Sequence, residues 1–334
     1  MSDKKIPLSL LDLAPITEGS TAKEAFSHSL DLAKLAEKLG YHRYWLAEHH
    51  NMTGIASAAT SVLIGYLAAN TQLLRLGSGG IMLPNHSPLV IAEQFGTLNT
   101  LYPERIDLGI GRAPGSNQQT MQALRRHMST DLDSFPQDIA QIVNWFDATN
   151  PDPGVRPVPG FGEKIPVWLL GSSLYSATLA AKLGLPFAFA SHFAPDLLLQ
   201  ALEVYRTNFQ PSARLAKPYA MVCINIIAAD TQREAEFLFT SMQQAFVMLR
   251  RGQTSQLPPP VENMANIWSP AEEYGVQQAL GMSLVGDKSK VRHGLETILR
   301  QTQADEIMVN GQIFDHQSRL YSFELAMQVM NELI

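Results

Sequence analysis

The feature that most constrains the fold of this chain is a repeated alternation of short apolar runs with longer amphipathic stretches. The runs Pro7–Ala14, Ile165–Leu170 and Leu185–Ala190 are apolar almost throughout instead of alternating with polar residues. Such runs are typical of parallel strands that are buried on both faces. The stretches between them repeat apolar residues at the spacing of amphipathic helices. The alternation predicts an α/β protein with a parallel sheet and right-handed crossovers.

Signals at the helix ends support this prediction. The segment Thr21–Glu24 has the spacing of a capping box, Gly40 stands where a helix should end, and Pro88 suits the first position of a helix. We count roughly eight strands in 334 residues, which favours a closed (β/α)8 TIM barrel over an open doubly wound sheet. We predict a single domain over residues 1–334, with an insertion at residues 253–274, between strands seven and eight.

Composition excludes several classes of function. The net charge is −6 and no run of Lys or Arg is longer than two residues, so the concentrated positive face that nucleic acids and membrane surfaces attract is not expected. No segment reaches the ~18 consecutive apolar residues of a membrane span, and the N-terminus lacks a signal-peptide pattern, which by default indicates the cytoplasm. The single cysteine, Cys223, lies in an apolar stretch and is predicted to be a buried strand residue, not a nucleophile.

The first candidate site residues follow strand two, in the sequence Glu48-His49-His50. Active sites of TIM barrels lie at the carboxyl ends of the strands, and a histidine there can donate or accept a proton near neutral pH. We interpret His49 as an acid/base group whose tautomer Glu48 could fix; a structural pair that bonds to the next loop is the alternative. A metal site is not predicted, because neighbouring strand residues point to opposite faces and no third ligand is spaced nearby.

Glycines mark the ends of the next two strands. Gly79 and Gly80 interrupt strand three, and glycines in such a position mark a bulge, a turn or a place where a flat molecule approaches the backbone. After strand four, the segment Gly109–Gly115 offers a close-approach loop in which the guanidinium of Arg112 suits a phosphate or a ring oxygen. It is not a dinucleotide fingerprint, because Pro114 occupies the position of the third glycine.

The segment Gly171–Ser176 joins strand five to its helix and is rich in serine. Unpaired N–H groups at a helix N-terminus, with serine hydroxyls beside them, make an anion site without a lysine; a simple N-cap by Ser172 or Ser173 is the alternative. Together these strand ends place a phosphate-binding site, a glycine-lined surface and a His/Glu pair on the same rim of the predicted barrel. That combination is what flavin mononucleotide (FMN) requires.

The ordered set of segments resembles the bacterial-luciferase-like flavin monooxygenase family, and within it the single-chain luciferase-like monooxygenases of bacteria. The resemblance covers nearly the whole chain. It is carried by the segments Trp45–His50, Gly77–Pro84, Gly109–Arg112, Pro166–Ser173, Val285–Asp287 and Ser322–Ala326. It implies a TIM barrel that binds FMN, or reduced FMN supplied by a separate flavin reductase, with O₂ as co-substrate.

The resemblance also implies roles for single residues. His49 matches the family's catalytic histidine, and Glu48 matches the carboxylate before it. Gly79 and Gly80 match a glycine pair, often joined by a cis peptide bond, over which the flavin ring lies. The positions matched to the flavin phosphate are Arg112, Gly171, Ser172, Ser173 and Ser176.

Two positions depart from the family's pattern. Gly111 stands beside the flavin ring, where luciferase has a reactive cysteine, so light emission is not expected. The family's second phosphate arginine has no clear counterpart, and Arg125 and Arg126 are candidates by neighbourhood alone. Residues 253–274 fall where the family carries a mobile lid that shields the flavin from water.

These observations predict a monooxygenase that uses reduced FMN and O₂ on a small, apolar organic substrate. One alternative is a deazaflavin-dependent oxidoreductase on the same barrel, although the longer acidic tail of that cofactor would need more positive charge around Gly171. A second alternative is a non-catalytic protein that stores FMN. The alanine-rich helices after strands two and three predict a homodimer, although packing within the chain explains the same alanines. Candidates for lining an apolar substrate cavity are Trp45, Met82, Phe189, His192 and Phe193.

Overall fold

The computed structural model describes residues 6–112, 118–124, 134–152 and 154–333. Its strands are β1 (Leu8–Asp12), β2 (Arg43–Leu46), β3 (Arg75–Ser78), β4 (Ile81–Met82), β5 (Ile106–Gly111), β6 (Val167–Gly171), β7 (Phe187–Phe189), β8 (Ala220–Ala228), β9 (Ser283–Gly286) and β10 (Glu306–Asn310). Its helices are α1 (Ala22–Leu39), α2 (Thr60–Ala68), α3 (Pro88–Leu101), α4 (Gln118–Leu124), α5 (Phe135–Asp147), α6 (Leu174–Leu183), α7 (Leu198–Thr207), α8 (Gln232–Arg250), α9 (Pro270–Ala279), α10 (Lys288–Thr302) and α11 (His316–Glu332). Within the ranges described, none of the helices is both long and apolar enough to cross a membrane.

Eight parallel strand positions close into a barrel. β1 pairs with β2 on one side and β10 on the other, and β10 pairs with β8, which completes the ring β1-β2-β3/β4-β5-β6-β7-β8-β10. β3 and β4 share one position and are separated at Gly79-Gly80, whose peptide bond is cis. Because the paired strands are parallel, their carboxyl ends open on one rim. The predicted TIM barrel is confirmed.

Alternation along the strands separates two apolar layers. On β8, Met221 and Cys223 point into the lumen, where they pack with residues of β1, β2, β6 and β10. Val222, between them, points outward against the helices. Phe189 of β7 also belongs to the outer layer, so the prediction that it lines the cavity is wrong. Cys223 is buried, as predicted, and burial raises the pKa of its thiol above the usual range.

The helix ends follow from local signals in the sequence. The capping box at the start of α1 is formed: the Glu24 N–H donates to Oγ1 of Thr21 at 3.3 Å, and the Thr21 N–H donates to Oε2 of Glu24 at 3.0 Å. Gly40 ends this helix with φ at 83°, in the left-handed region that favours glycine. Pro88 is the first residue of α3, as predicted. These ends fix where the neighbouring strands begin.

Buried ion pairs close the lumen at its amino-terminal end. Arg43 Nη1 lies 2.7 Å from Oδ2 of Asp107, and Arg43 Nε lies 2.9 Å from Oε1 of Glu306. Arg75 Nη2 adds a second bond to Asp107 at 2.6 Å, and the Tyr219 hydroxyl donates to Glu306 at 2.9 Å. The carboxylates are fully buried, so each depends on these partners. We call this network the barrel floor.

The connection between β8 and β10 is larger than the sequence indicated. α8 packs with α9 and β9 in apolar clusters that are separate from the main core. α10, by contrast, contributes Val291, Leu295 and Ile298 to the core around the barrel. Thus α10 is the helix that packs against the barrel between β8 and β10. The rest of this connection, α8, α9 and β9, forms an insertion that includes residues 253–274. Neither α9 nor β9 was predicted from the sequence.

Candidate active site

The rim carries a stretch of backbone that is free of side chains. Gly79 and Gly80, between β3 and β4, are both half-buried. A Cβ atom on Gly79 would lie 2.6 Å from Cδ1 of Leu11. On Gly80 it would lie 2.8 Å from the carbonyl oxygen of Gly109, so neither position has room for a side chain. Gly111, on β5, differs, because a Cβ there would meet its nearest atom at 4.0 Å and would face open space.

Glu48, 1% exposed after β2, holds the segment that follows the glycine pair. Its Oε1 accepts from Nε2 of His50 and of His86, both at 2.7 Å, and its Oε2 accepts from the Met82 N–H at 3.0 Å. Burial raises the pKa of Glu48, but these hydrogen bonds, led by the one from His86, outweigh it and hold the pKa below its usual value. An ionised carboxylate only accepts, so both histidines donate. Glu48 therefore anchors β4 instead of fixing the tautomer of His49.

The same three side chains bear on metal binding. Sequence spacing offered no third ligand near Glu48 and His50, but the fold brings His86 to them, and their ligand atoms lie within 4.8 Å of one another. Sequence reasoning missed His86; the signal that could have found it is its position after strand three, next to strand two in a barrel. The 2.7 Å distances are those of charge-assisted hydrogen bonds. As it stands, the arrangement is a hydrogen-bonded triad.

Two other histidines approach each other from opposite sides of the mouth. His49 follows β2 and His192 follows β7, which are diametrically opposite in the ring. Among the described residues, Nδ1 of each is buried without a hydrogen-bond partner. Burial lowers the pKa of His49 to about 4, against the charge of Glu48, and burial together with His49 lowers the pKa of His192 to about 3. Both imidazoles are neutral near neutral pH, so each can donate a proton from one nitrogen and accept one at the other.

Within the described ranges, no side chain caps the N-terminus of α6. Ser173 occupies the N-cap position, but its hydroxyl makes no capping bond and lies 3.3 Å from Oγ of Ser176. Gly171 permits this approach, since a Cβ there would lie 2.1 Å from the same Oγ. The guanidinium of Arg112, at the end of neighbouring β5, stacks 4.1 Å from the centroid of the Tyr175 ring in the first turn of α6. A positive charge therefore lies beside the unpaired N–H groups of this helix.

Neighbouring strand ends carry the residues predicted from the sequence, in ring order. His49 follows β2, the glycine pair separates β3 from β4, and Arg112 follows β5. Ser172, half-buried, follows β6 directly. The other part of the predicted loop, residues 113–117, and the two candidates at 125 and 126 lie outside the described residues.

Part of the predicted lid crosses this rim. Leu257, 3% exposed, bonds to the loop after β1: its N–H donates to Ile16 O, and its carbonyl accepts from the Glu18 N–H, both at 2.9 Å. Ser255 lies against the loop after β2, because a Cβ on Gly54 would lie 2.1 Å from the Ser255 carbonyl oxygen. Residues 255–257 thus cover the side of the mouth from which His49 enters.

The carboxyl ends of the strands carry every group described above: the neutral imidazoles, the buried carboxylate, the glycine surface and the uncapped helix. In TIM barrels that end of the strands is where active sites are built, whereas the opposite end serves stability, as the barrel floor does here. The fold and the site together define a TIM-barrel enzyme.

Comparison with known proteins identifies the family within this class. A family model described as luciferase-like monooxygenase matches residues 6–306. A luciferase-like monooxygenase of Escherichia coli (strain K12) is 80% identical over 334 residues, which is 100% of both chains. An N-acetyl-S-alkylcysteine monooxygenase of Bacillus subtilis (strain 168) is 33% identical over 326 residues, 96% of this chain and 97% of that one. The crystal structure of apo-MsnO8 has a TM-score of 0.86 at 33% identity, with 98% of each chain covered.

The chain therefore belongs to the luciferase-like monooxygenase family. This membership confirms the family resemblance found in the sequence and the expected enzyme class, a flavin-dependent monooxygenase.

Proposed function

We propose that this protein uses reduced FMN and O₂ to oxidise a small, apolar organic molecule. The observation that carries the proposal is the meeting, on neighbouring strand ends, of an uncapped helix N-terminus, the Arg112 guanidinium and the bare backbone at Gly79-Gly80. Phosphate esters bind where unpaired N–H groups and a guanidinium converge. A flat ring system binds where no side chain intrudes on the backbone. FMN combines a phosphate with such a ring.

The residues present fit this cofactor. Ser172, Ser173 and Ser176, with Arg112, would hold the phosphate, and the glycine pair would support the ring. Gly111 leaves open space beside β4. When bound, the reduced flavin supplies the electrons that activate O₂, while the protein orients it and excludes water. A separate flavin reductase would supply FMN in its reduced form.

His49 is the proposed acid/base group. It is neutral near neutral pH because burial lowers its pKa to about 4, and its buried Nδ1 has no partner among the residues that the structure describes. That nitrogen is available to hold or transfer a proton at the reacting centre. Glu48 acts as a positioning residue, since it anchors β4 through Met82 and His86.

The mouth of the barrel suits an apolar substrate. Packed apolar side chains fill the lumen below it, among them Leu11, Trp45, Trp168, Met221 and Met308. Residues 255–257 would act with the rest of residues 253–274 as a lid that keeps water from the reacting centre. An apolar molecule that rests on this packed layer would remove apolar surface from water and would gain close contacts.

A homodimer is part of the proposal. α2 exposes Val62 (69%) and Tyr66 (42%), and neighbouring α3 exposes Leu101 (62%). Large apolar side chains grouped on adjacent helices are typical of a protein interface. A second copy of the chain would cover this face.

The cofactor is tested by equilibrium dialysis without oxygen, with reduced FMN and a reduced deazaflavin as ligands. We expect wild-type protein to prefer reduced FMN, and Arg112→Gln to weaken its binding about tenfold, the effect of one charged hydrogen bond. Arg156→Gln is the matched control: its guanidinium also stacks on an aromatic ring, 5.2 Å from the Phe161 centroid, but it precedes β6 at the amino-terminal end of the barrel. It should leave binding unchanged.

The reaction is tested with reduced FMN, oxygen-18-labelled O₂ and a panel of apolar sulfides, ketones and alkanes. One labelled oxygen atom should enter at least one product, and His49→Ala should slow that turnover by ~10²–10⁴-fold. A preference for the reduced deazaflavin would identify a deazaflavin-dependent oxidoreductase instead. Tight FMN binding with no labelled product across the panel would identify a storage protein.

A further inference from the structure

Two asparagines meet in the lumen at the carboxyl ends of adjacent strands. Asn225 of β8 and Asn310 of β10 are partners in the register of the two strands. Each stands two residues beyond a lumen residue, Cys223 and Met308 respectively, so both point into the lumen. They are 0% and 2% exposed. In the ring of strands, β8 lies opposite the position shared by β3 and β4, so the pair faces the glycine surface across the mouth.

Each asparagine has one buried polar atom that finds no hydrogen-bond partner in the described part of the chain: Oδ1 of Asn225 and Nδ2 of Asn310. The orientation of the first amide is fixed by its neighbours. Asn225 Nδ2 donates to the His192 carbonyl oxygen at 2.6 Å and to Ser283 Oγ at 3.0 Å. A carbonyl oxygen only accepts, so the amide cannot be reversed, and Oδ1 is the free atom. The pair thus presents one unused acceptor and one unused donor side by side.

The lumen side chains beneath the pair are uncharged. Outside the lumen, the Arg319 guanidinium donates to the carbonyl oxygen of the next residue, Gly311, and is matched by Asp12. Cys223 and Met308 lie below the pair, and the imidazoles of His49 and His192 are neutral near neutral pH. The ion pairs of the barrel floor lie beneath this apolar layer and are already matched to one another. A charged group placed here would lose its hydration without gaining a counter-charge.

We infer that Asn225 and Asn310 bind the polar group of the organic substrate, and that this group is uncharged and offers a hydrogen-bond donor beside an acceptor, as a carboxamide does. The substrate's N–H would donate to Oδ1 of Asn225, and its carbonyl oxygen would accept from Nδ2 of Asn310. A buried polar atom left without a partner is costly, so a ligand that pairs both atoms is selected over one that pairs only one. The inference rests on the proposed function and deepens it, because an apolar substrate with one such group could rest on the apolar layer and pair both asparagine atoms.

The test uses three small probes on the flavin-free protein: benzamide, acetophenone and benzoate. Trp45 and Trp168 line the lumen, so their fluorescence reports binding. Benzamide should bind about tenfold more tightly than acetophenone, which lacks the donor, and than benzoate, which is charged. Equal affinities for the three probes would overturn the inference.

Two variants assign the effect to the pair. Asn225→Leu should abolish the preference for benzamide over acetophenone, because it removes the acceptor. Asn310→Leu should weaken both carbonyl probes about tenfold, because it removes the donor. Asn208→Ala, at the exposed end of α7, is the matched control and should change neither affinity. Variants that keep the wild-type preference would overturn the inference.

Stability separates binding from a structural role. Asn225→Leu breaks the bonds to His192 and Ser283, so its thermal midpoint should fall. Asn310→Leu replaces an unpaired buried donor by an apolar group of similar shape, so its midpoint should stay the same or rise while its probe affinity falls. Asn310→Leu therefore carries the test even if Asn225→Leu does not fold. A lower midpoint for Asn310→Leu would mean that the side chain is structural, and the inference would be wrong.

Dialysis of reduced FMN against the same variants separates the substrate from the cofactor. Asn310→Leu should leave the affinity for reduced FMN unchanged. If that affinity fell about tenfold, the pair would bind the flavin ring edge and not the substrate. If wild-type protein bound no reduced FMN but still preferred benzamide, the proposed cofactor would be wrong while the small-molecule site would stand.

Discussion

Replacing Glu48 by Gln tests how the chain holds the surface on which we place the flavin ring. The Glu48 carboxylate accepts three hydrogen bonds, from His50, His86 and the Met82 N–H. A glutamine oxygen can still accept from the histidines, but those bonds lose their charge and about half of their strength. The glutamine NH₂ would face the Met82 N–H and leave it without an acceptor, which costs ~1–3 kcal/mol. We expect the apparent free energy of unfolding to fall by about 3 kcal/mol in total.

Glu37→Gln is the matched control. Glu37 also accepts from backbone N–H groups, those of Gln72, Leu73 and Leu74, but it is half-buried and binds the loop that enters β3 at the amino-terminal end of the barrel. Its replacement should cost ~1–2 kcal/mol because charge is lost while an acceptor oxygen remains. Glu37→Gln therefore removes contacts at the amino-terminal end of the β3/β4 strand position, and Glu48→Gln removes contacts at its carboxyl end.

The assay pairs urea denaturation with dialysis of reduced FMN. Glu48→Gln should weaken FMN binding about tenfold, whereas Glu37→Gln should leave it unchanged. If Glu48→Gln lost stability and kept its FMN affinity, the carboxylate would serve the fold alone. If both variants lost FMN affinity equally, the effect would be a general loosening of the barrel. Either result would refute the reasoning that Glu48 positions the flavin surface.

Three further predictions concern the rest of the molecule. Asp107→Asn, in the barrel floor, should lower the free energy of unfolding by about 3 kcal/mol because it removes the carboxylate that Arg43 and Arg75 share and leaves Arg43 with Glu306 alone, whereas Glu272→Gln, in a solvent-exposed pair with Arg251, should cost much less in the same urea titration. In the unfolded chain a histidine binds a proton below about pH 6.5, whereas burial lowers the pKa of His49 in the folded chain to about 4. The free energy of unfolding should therefore fall as pH falls between these two values, by at most about 1.4 kcal/mol per pH unit for this group. His49→Asn should reduce this pH dependence in a pH series of unfolding midpoints. Val62→Glu should convert the proposed dimer to monomers, as measured by light scattering. Leu249→Glu, at a site 51% exposed on α8, is the control and should leave the dimer intact. A monomeric wild-type protein would show that the proposed dimer is wrong.

The barrel could be predicted because its signals are local. Continuous apolar runs, a capping box and a helix-ending glycine each act within a few residues, and together they fix the strands and the helix ends. Gly79-Gly80 could also be recognised from the sequence, because glycine inside a strand usually marks a bulge or a close approach of another group to the backbone. For that reason the order of the strand ends around the rim could be read along the chain.

The parts that could not be predicted depend on contacts between distant residues. In the barrel floor, Arg43 bonds to Asp107 across 64 residues and to Glu306 across 263, and no spacing in the sequence links them. His86 escaped notice because its partner, Glu48, lies 38 residues earlier. The extent of the insertion could not be predicted because α8 has the pattern of any amphipathic helix, and only its packing shows that it lies with β9, α9 and the carboxyl end of β8, outside the main core.

The cofactor site is tested most directly by a crystal structure of the protein grown with FMN and reduced in the crystal. We expect the phosphate within about 3 Å of the N–H groups at the start of α6 and of the Arg112 guanidinium. We expect the flavin ring against Gly79-Gly80, with the His49 imidazole on the side of the ring that faces the lumen. A phosphate bound elsewhere on the rim, or a ring held away from the glycine pair, would contradict the proposed site.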